Sequence, residues 1–132
     1  MSITMIADRQ APSEAYVDIN LADIATGVAQ AAIQMPINAV VTGGSLVTIT
    51  AFNSTSTDTL SIGDASSAAR YLSGSSIHST ALAALVPTGF VTTSTEPNIV
   101  VTWTSGGGTP TTGKIRVRVS YIILGRADFT QG

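Results

Sequence analysis

The chain has 132 residues, with six Lys/Arg against eight Asp/Glu and a net charge of −2, a size that fits one domain. It has no cysteine, which excludes disulfide staples and thiolate metal sites, and its weak charge gives little long-range pull on nucleic acid. Apolar residues make up 44% and charged residues only 11%, with mean hydropathy +0.36, and Ser and Thr together number 34. That excludes a charge-rich disordered chain and suits strands with hydroxyl-covered surfaces.

Residues 1–14 show no apolar period and read as an extended arm ahead of a single domain at 15–132. The opening Met-Ser-Ile-Thr-Met-Ile-Ala-Asp-Arg lacks a basic stretch followed by an apolar run, so no signal peptide is expected. No apolar run reaches 18 residues, so no membrane span is expected either.

Ala15, Val17, Ile19 and Leu21 alternate with Tyr16, Asp18 and Asn20, which predicts a first strand. In a second, Ala29, Ala31, Ile33 and Met35 alternate with Gln30 and Gln34, and Pro36 closes it. Residues 37–42 form a short third run that Gly43-Gly44 stops, and a separate strand follows in which Val47, Ile49 and Ala51 interleave with Thr48 and Thr50. Leu60 and Ile62 mark another strand, ending at Gly63-Asp64. The stretch 65–86 is ambiguous: Ala65 to Leu72 fits a helical turn behind Asp64 as cap, and Ser79 to Leu85 fits a short helix or a strand. Phe90 to Thr93 is a brief extended piece. Ile99, Val101 and Trp103 form the inner face of a penultimate strand with Val100 and Thr102 outside.

Residues 114–124 carry the clearest signal. Ile115, Val117, Val119, Tyr121 and Ile123 fall on one face of a period-2 element and Lys114, Arg116 and Arg118 on the other. With Arg126, this region holds four of the six cations. Such a strand is core on one side and offers a charged surface to an acidic partner on the other. About eight short strands with Gly/Pro/Asn punctuation, and no long amphipathic helix, predict an all-β antiparallel sandwich or jelly roll.

Motifs for chemistry fail on their context. Gly108 to Lys114 matches the start of a phosphate-binding loop, but Ile115 replaces the Mg²⁺-holding hydroxyl and a strand follows instead of a helix; a hairpin loop is expected. His78 is the one histidine, so a His/Cys zinc site cannot form within the chain, and no Gly-x-Ser-x-Gly elbow accompanies it. The carboxylates are dispersed; a calcium site at Asp58 or Asp64 is weighed against ordinary turn and cap chemistry, which is favoured. Asn53-Ser54-Thr55 is a turn-prone cluster and only formally a glycosylation sequon. No catalytic residue, cofactor or metal is expected.

Several segments, taken in order, carry a resemblance: Val-Val-Thr-Gly-Gly-Ser (40–45), Ala-Phe-Asn-Ser (51–54), Asp-Thr-Leu-Ser-Ile-Gly-Asp (58–64), Ala-Arg-Tyr-Leu (69–72), Pro-Thr-Gly-Phe (87–90), and Tyr121 to Phe129. The chain resembles the jelly-roll head decoration, or cement, proteins of tailed bacteriophages over roughly its last two thirds. The resemblance implies a virion protein on the outer surface of the capsid. It would bridge major capsid protein subunits and strengthen the shell as a homotrimer, or alternatively a homodimer, without touching nucleic acid or membrane. The surfaces expected to carry this are the arm, with Met5, Ile6 and Arg9 and the adjoining Tyr16, and the basic strand, with Lys114, Arg116, Arg118 and Arg126. The alternative is a carbohydrate- or receptor-binding β-sandwich of a phage tail or fibre. It would use Tyr16, Tyr71, Phe90 and Trp103, although Trp103 falls on the expected inner face.

Overall fold

A computed structural model describes residues 9–126. The described residues form eight strands: β1 (Ser13–Asn20), β2 (Ala29–Gln34), β3 (Ala39–Thr50), β4 (Asp58–Gly63), β5 (Leu72–Ser76), β6 (Leu82–Ala84), β7 (Asn98–Ser105) and β8 (Lys114–Ile123). One 3₁₀ turn, Leu21–Asp23, follows β1, and the described residues contain no α-helix. None of their helical segments is long and apolar enough to cross a membrane.

The strands form two four-stranded sheets, ordered β1-β8-β3-β6 and β2-β7-β4-β5, and every pairing is antiparallel. β1 pairs with β8, β2 with β7, β3 with β6 and β4 with β5. The chain is therefore one long hairpin closed at β4–β5 and rolled up, with β3–β8 and β4–β7 contacts sewing the roll into sheets. That is a jelly roll, and the expected all-β sandwich is the fold observed.

The core lies between the sheets. Ile115, Val117 and Val119 of β8 are fully buried, facing Leu60 and Ile62 of β4 and Ile99, Val101 and Trp103 of β7 within one cluster. Each fully buried aliphatic side chain stabilises the fold by about 1.5–3 kcal/mol. Phe52 and Trp103 pack with ring centroids 5.3 Å apart at 53°. A Cβ on Gly113 would lie 2.7 Å from the Phe52 ring, so the chain re-enters β8 across that ring on a glycine. Trp103 is core, as its inward phase predicts.

Four expectations are corrected. Gly43-Gly44 does not stop a strand; β3 runs through it, with a bulge between Val41 and Gly43 opposite β8. The extra residue inverts the phase, so Ala39 and Val41 are buried before it and Leu46 and Thr48 after it, while Ile49 is exposed. Gly44 has φ +144°, and a Cβ there would strike the Arg118 carbonyl. A similar bulge between Ala31 and Ile33 of β2 leaves Ala29 and Ala31 exposed and turns Gln30 inward.

No helix forms after Asp64. Its carboxylate takes the N–H groups of Ser66 (3.2 Å) and Ser67 (2.9 Å), as a cap would. The Ser67 carbonyl, however, accepts from Asp64 and Arg70 N–H, which closes a turn and returns Tyr71 to Ile62. Finally, residues 106–113 join β7 to β8 in the other sheet, so this loop is a crossover rather than a hairpin.

Candidate interaction surface

Strand β8 turns Lys114, Arg116 and Arg118 to its outer face, Arg116 exposed and the other two half-buried, because its alternate residues fill the core. Antiparallel pairing sets Asp18 opposite Arg116, Tyr16 opposite Arg118 and Glu14 opposite Ser120. Arg116 grips Asp18 with two hydrogen bonds, Nε to Oδ1 at 2.7 Å and a terminal nitrogen to Oδ2 at 3.0 Å. Its guanidinium lies 4.5 Å from the Tyr16 ring centroid. Arg118 donates to Glu14 Oε1 at 2.5 Å and to Ser45 Oγ at 3.4 Å, and Ser120 Oγ donates to the same Glu14 oxygen at 2.9 Å. The Arg116 hydrogen bonds hold the Asp18 carboxyl below its ordinary range, against some desolvation.

The basic row is therefore met by an acidic row from β1. Exposed pairs of this kind add little net stability. What they do is order the side chains, presenting fixed donors and acceptors with nearly balanced charge in place of an open cationic patch. Across β3 the face turns apolar: Val47 lies between Arg116 and Leu82, Leu82 is 71% exposed and Ile49 is 43% exposed.

Of the residues expected to make contacts, Tyr16, Lys114, Arg116 and Arg118 share this one face. Arg9 and Arg126 lie at the other end of β8. Gln10, next to Arg9, brackets Ile123 with its side-chain amide (3.0 and 3.1 Å), and the Arg126 N–H donates to the Ile123 carbonyl. Ser13 and Glu14 belong to β1. Met5 and Ile6 lie outside the described residues.

Sequence reasoning did not foresee two polar clusters. Asp58 is fully buried and accepts from Ser54 N (3.0 Å), Ser54 Oγ (2.5 Å) and Trp103 Nε1 (3.0 Å), with His78 Nδ1 at 2.7 Å. Burial opposes its charge, but the hydrogen bonds from Ser54, His78 and Trp103 outweigh it and lower the carboxyl below its ordinary range. Ser54 Oγ also pairs with Ser105 Oγ at 2.7 Å. Serine and histidine thus both address the carboxylate and not each other, an arrangement that braces loops and does not pass a proton from serine to imidazole. In the second cluster, Asp64 binds Arg70 (Nε at 2.5 Å), whose guanidinium lies 3.8 Å from the Phe90 ring centroid. Both carboxylates do turn and bracing work, as the favoured reading of them held.

No protein-family model matches the chain, and no curated protein matches it in sequence. Among solved structures, the chain is similar to one in the cyanophage Pam1 capsid asymmetric unit, with TM-score 0.70 and 25% identity over 93% of this chain and 91% of that one. It is also similar in fold to a chain in the acidic stable capsid structure of the Helicobacter pylori bacteriophage KHP30. There the TM-score is 0.58, with 18% identity over 85% of this chain and 87% of that one. Both neighbours are chains of phage capsids.

Three of the four aromatic residues expected of a sugar platform are engaged, and Tyr16 is exposed. Trp103 and Tyr71 are buried, Phe90 lies under Arg70, and Tyr16 lies beside Arg116.

Proposed function

We propose that this chain is a structural protein of a bacteriophage particle, one that decorates the outside of the capsid and stabilises it by bridging major capsid protein subunits. The observation that carries this reading is the likeness in fold, over nearly the whole of both chains, to a component of the Pam1 capsid. The character of the β1-β8-β3-β6 face agrees with it. Adhesion needs an ordered surface with paired charges and some exposed apolar area, and this face offers Tyr16, Leu82 and Ile49 beside two arginine–carboxylate pairs.

The mechanism is adhesion repeated by symmetry. Each copy makes a modest contact, and many copies tied to one shell convert weak contacts into high avidity. The arm in this account is the stretch ahead of β1, with Met5, Ile6 and Arg9 reaching a neighbouring subunit, and a homotrimer is the form in which copies span neighbours. Quantitative mass spectrometry of purified particles tests the reading. Copies on the order of hundreds per particle fit a shell protein, and about a dozen or fewer fit a tail component and contradict it.

A further inference from the structure

β1 and β2 are edge strands of the two sheets, joined by the 3₁₀ turn Leu21–Asp23. Between them lies a cavity of about 180 Å³ whose walls include Val17, Ile19, Ile24 and Ala32. Its polar lining consists of Gln30, Asp18 and Asp23. The Gln30 amide nitrogen donates to the Asp23 carbonyl at 3.2 Å, which fixes the orientation of the amide. The other end, Gln30 Oε1, is buried without a hydrogen-bond partner. Bulging at Ala31–Ile33 puts it there, by turning Gln30 into the sandwich edge. A buried acceptor left unpaired is costly, so an incoming N–H gains more here than at the surface.

We propose that this cleft receives a lysine or arginine side chain from a different polypeptide, which on the particle reading is a neighbouring capsid subunit. The lining offers the unpaired Gln30 carbonyl oxygen and the Asp23 carboxylate, one oxygen of which accepts from Asn20 N–H, and it holds no cationic side chain, while the Asp18 carboxylate is already taken by Arg116. Apolar walls with acceptors at one side suit an alkyl stem carrying a cationic head. A second depression, of about 430 Å³, shares Ala31 and Ala32 and continues along β2 past Gln34 to Asn98, room for the chain that bears the side chain. Arg70, Arg116 and Arg118 are held by this chain's own carboxylates, so none of these three is the donor.

Isotope-labelled full-length protein is titrated with n-butylguanidinium and with its neutral isostere n-butylurea, read by NMR. Saturable shifts of the Gln30 side-chain amide and the Ile19 and Ile24 methyls are expected, with butylurea at least fivefold weaker. Gln30→Leu, which removes the acceptor at similar volume, lowers guanidinium affinity at least fivefold, and Ala32→Phe, which fills the cavity, abolishes it. Equal response to the two probes, or no saturable shift in the cleft, overturns the proposal. On particles, Ala32→Phe protein is expected to lose most of its occupancy; unchanged occupancy overturns docking here while the particle role stands. Self-association that Ala32→Phe abolishes would assign the cleft to a second copy, also overturning it. If wild-type protein does not bind particles, the functional reading falls, and the titration still decides the cleft.

Discussion

Asp58 joins the loop before β4, Trp103 of β7 and His78 through one buried carboxylate. Asp58→Ala leaves Trp103 Nε1 and Ser54 N without their acceptor inside the fold, and should lower unfolding free energy by about 2–4 kcal/mol, measured by urea denaturation. The pH dependence follows from the same groups. Asp58, Asp64 and Asp18 have carboxyls held below their unfolded values, so their stabilising contribution is complete above the ordinary carboxylate range and is lost as pH falls through the folded values. The thermal midpoint should fall below about pH 4, and Asp58→Asn should flatten that acid decline. An unchanged decline in that variant would remove Asp58 from the account.

The bulges govern how the elements are phased. Gly44→Ala sets a Cβ against the Arg118 carbonyl at a backbone angle that favours glycine, so it should cost about 2 kcal/mol or more in denaturation, well above a Gly43→Ala control. The same bulges mark where legibility stopped. β8 could be read residue by residue because Ile115, Val117 and Val119 alternate without a break. β3 and β2 could not, since one extra residue on one strand inverts the pattern and only the partner's register reveals it. β5, Leu-Ser-Gly-Ser-Ser, carries no apolar alternation and is a strand by virtue of pairing with β4. The basic row was legible, but its acidic counterpart was not. Asp18 and Glu14 lie 98 and 104 residues from Arg116 and Arg118, so only the β1–β8 register brings them together. Because these pairs are exposed, the coupling between Asp18 and Arg116 in a double-mutant cycle should shrink as salt is raised. A salt-independent coupling would argue for a desolvated contact.

For the molecule as a whole, the rolled hairpin brings Gln10 and Arg126, near the two limits of the described residues, beside Ile123, since both bond to it. Deleting residues 1–8 keeps Gln10 and β1, so it should leave the unfolding midpoint nearly unchanged while weakening attachment to particles several-fold in a co-sedimentation assay. Equal attachment would reassign contact to the sheet faces and the β1–β2 cleft. The most direct test of the whole account is cryo-electron microscopy of the phage particle that contains this chain. The account predicts the jelly roll on the outer surface of the shell, in symmetric clusters that touch more than one capsid subunit. Density for it only in the tail, or none on the shell at all, would contradict it.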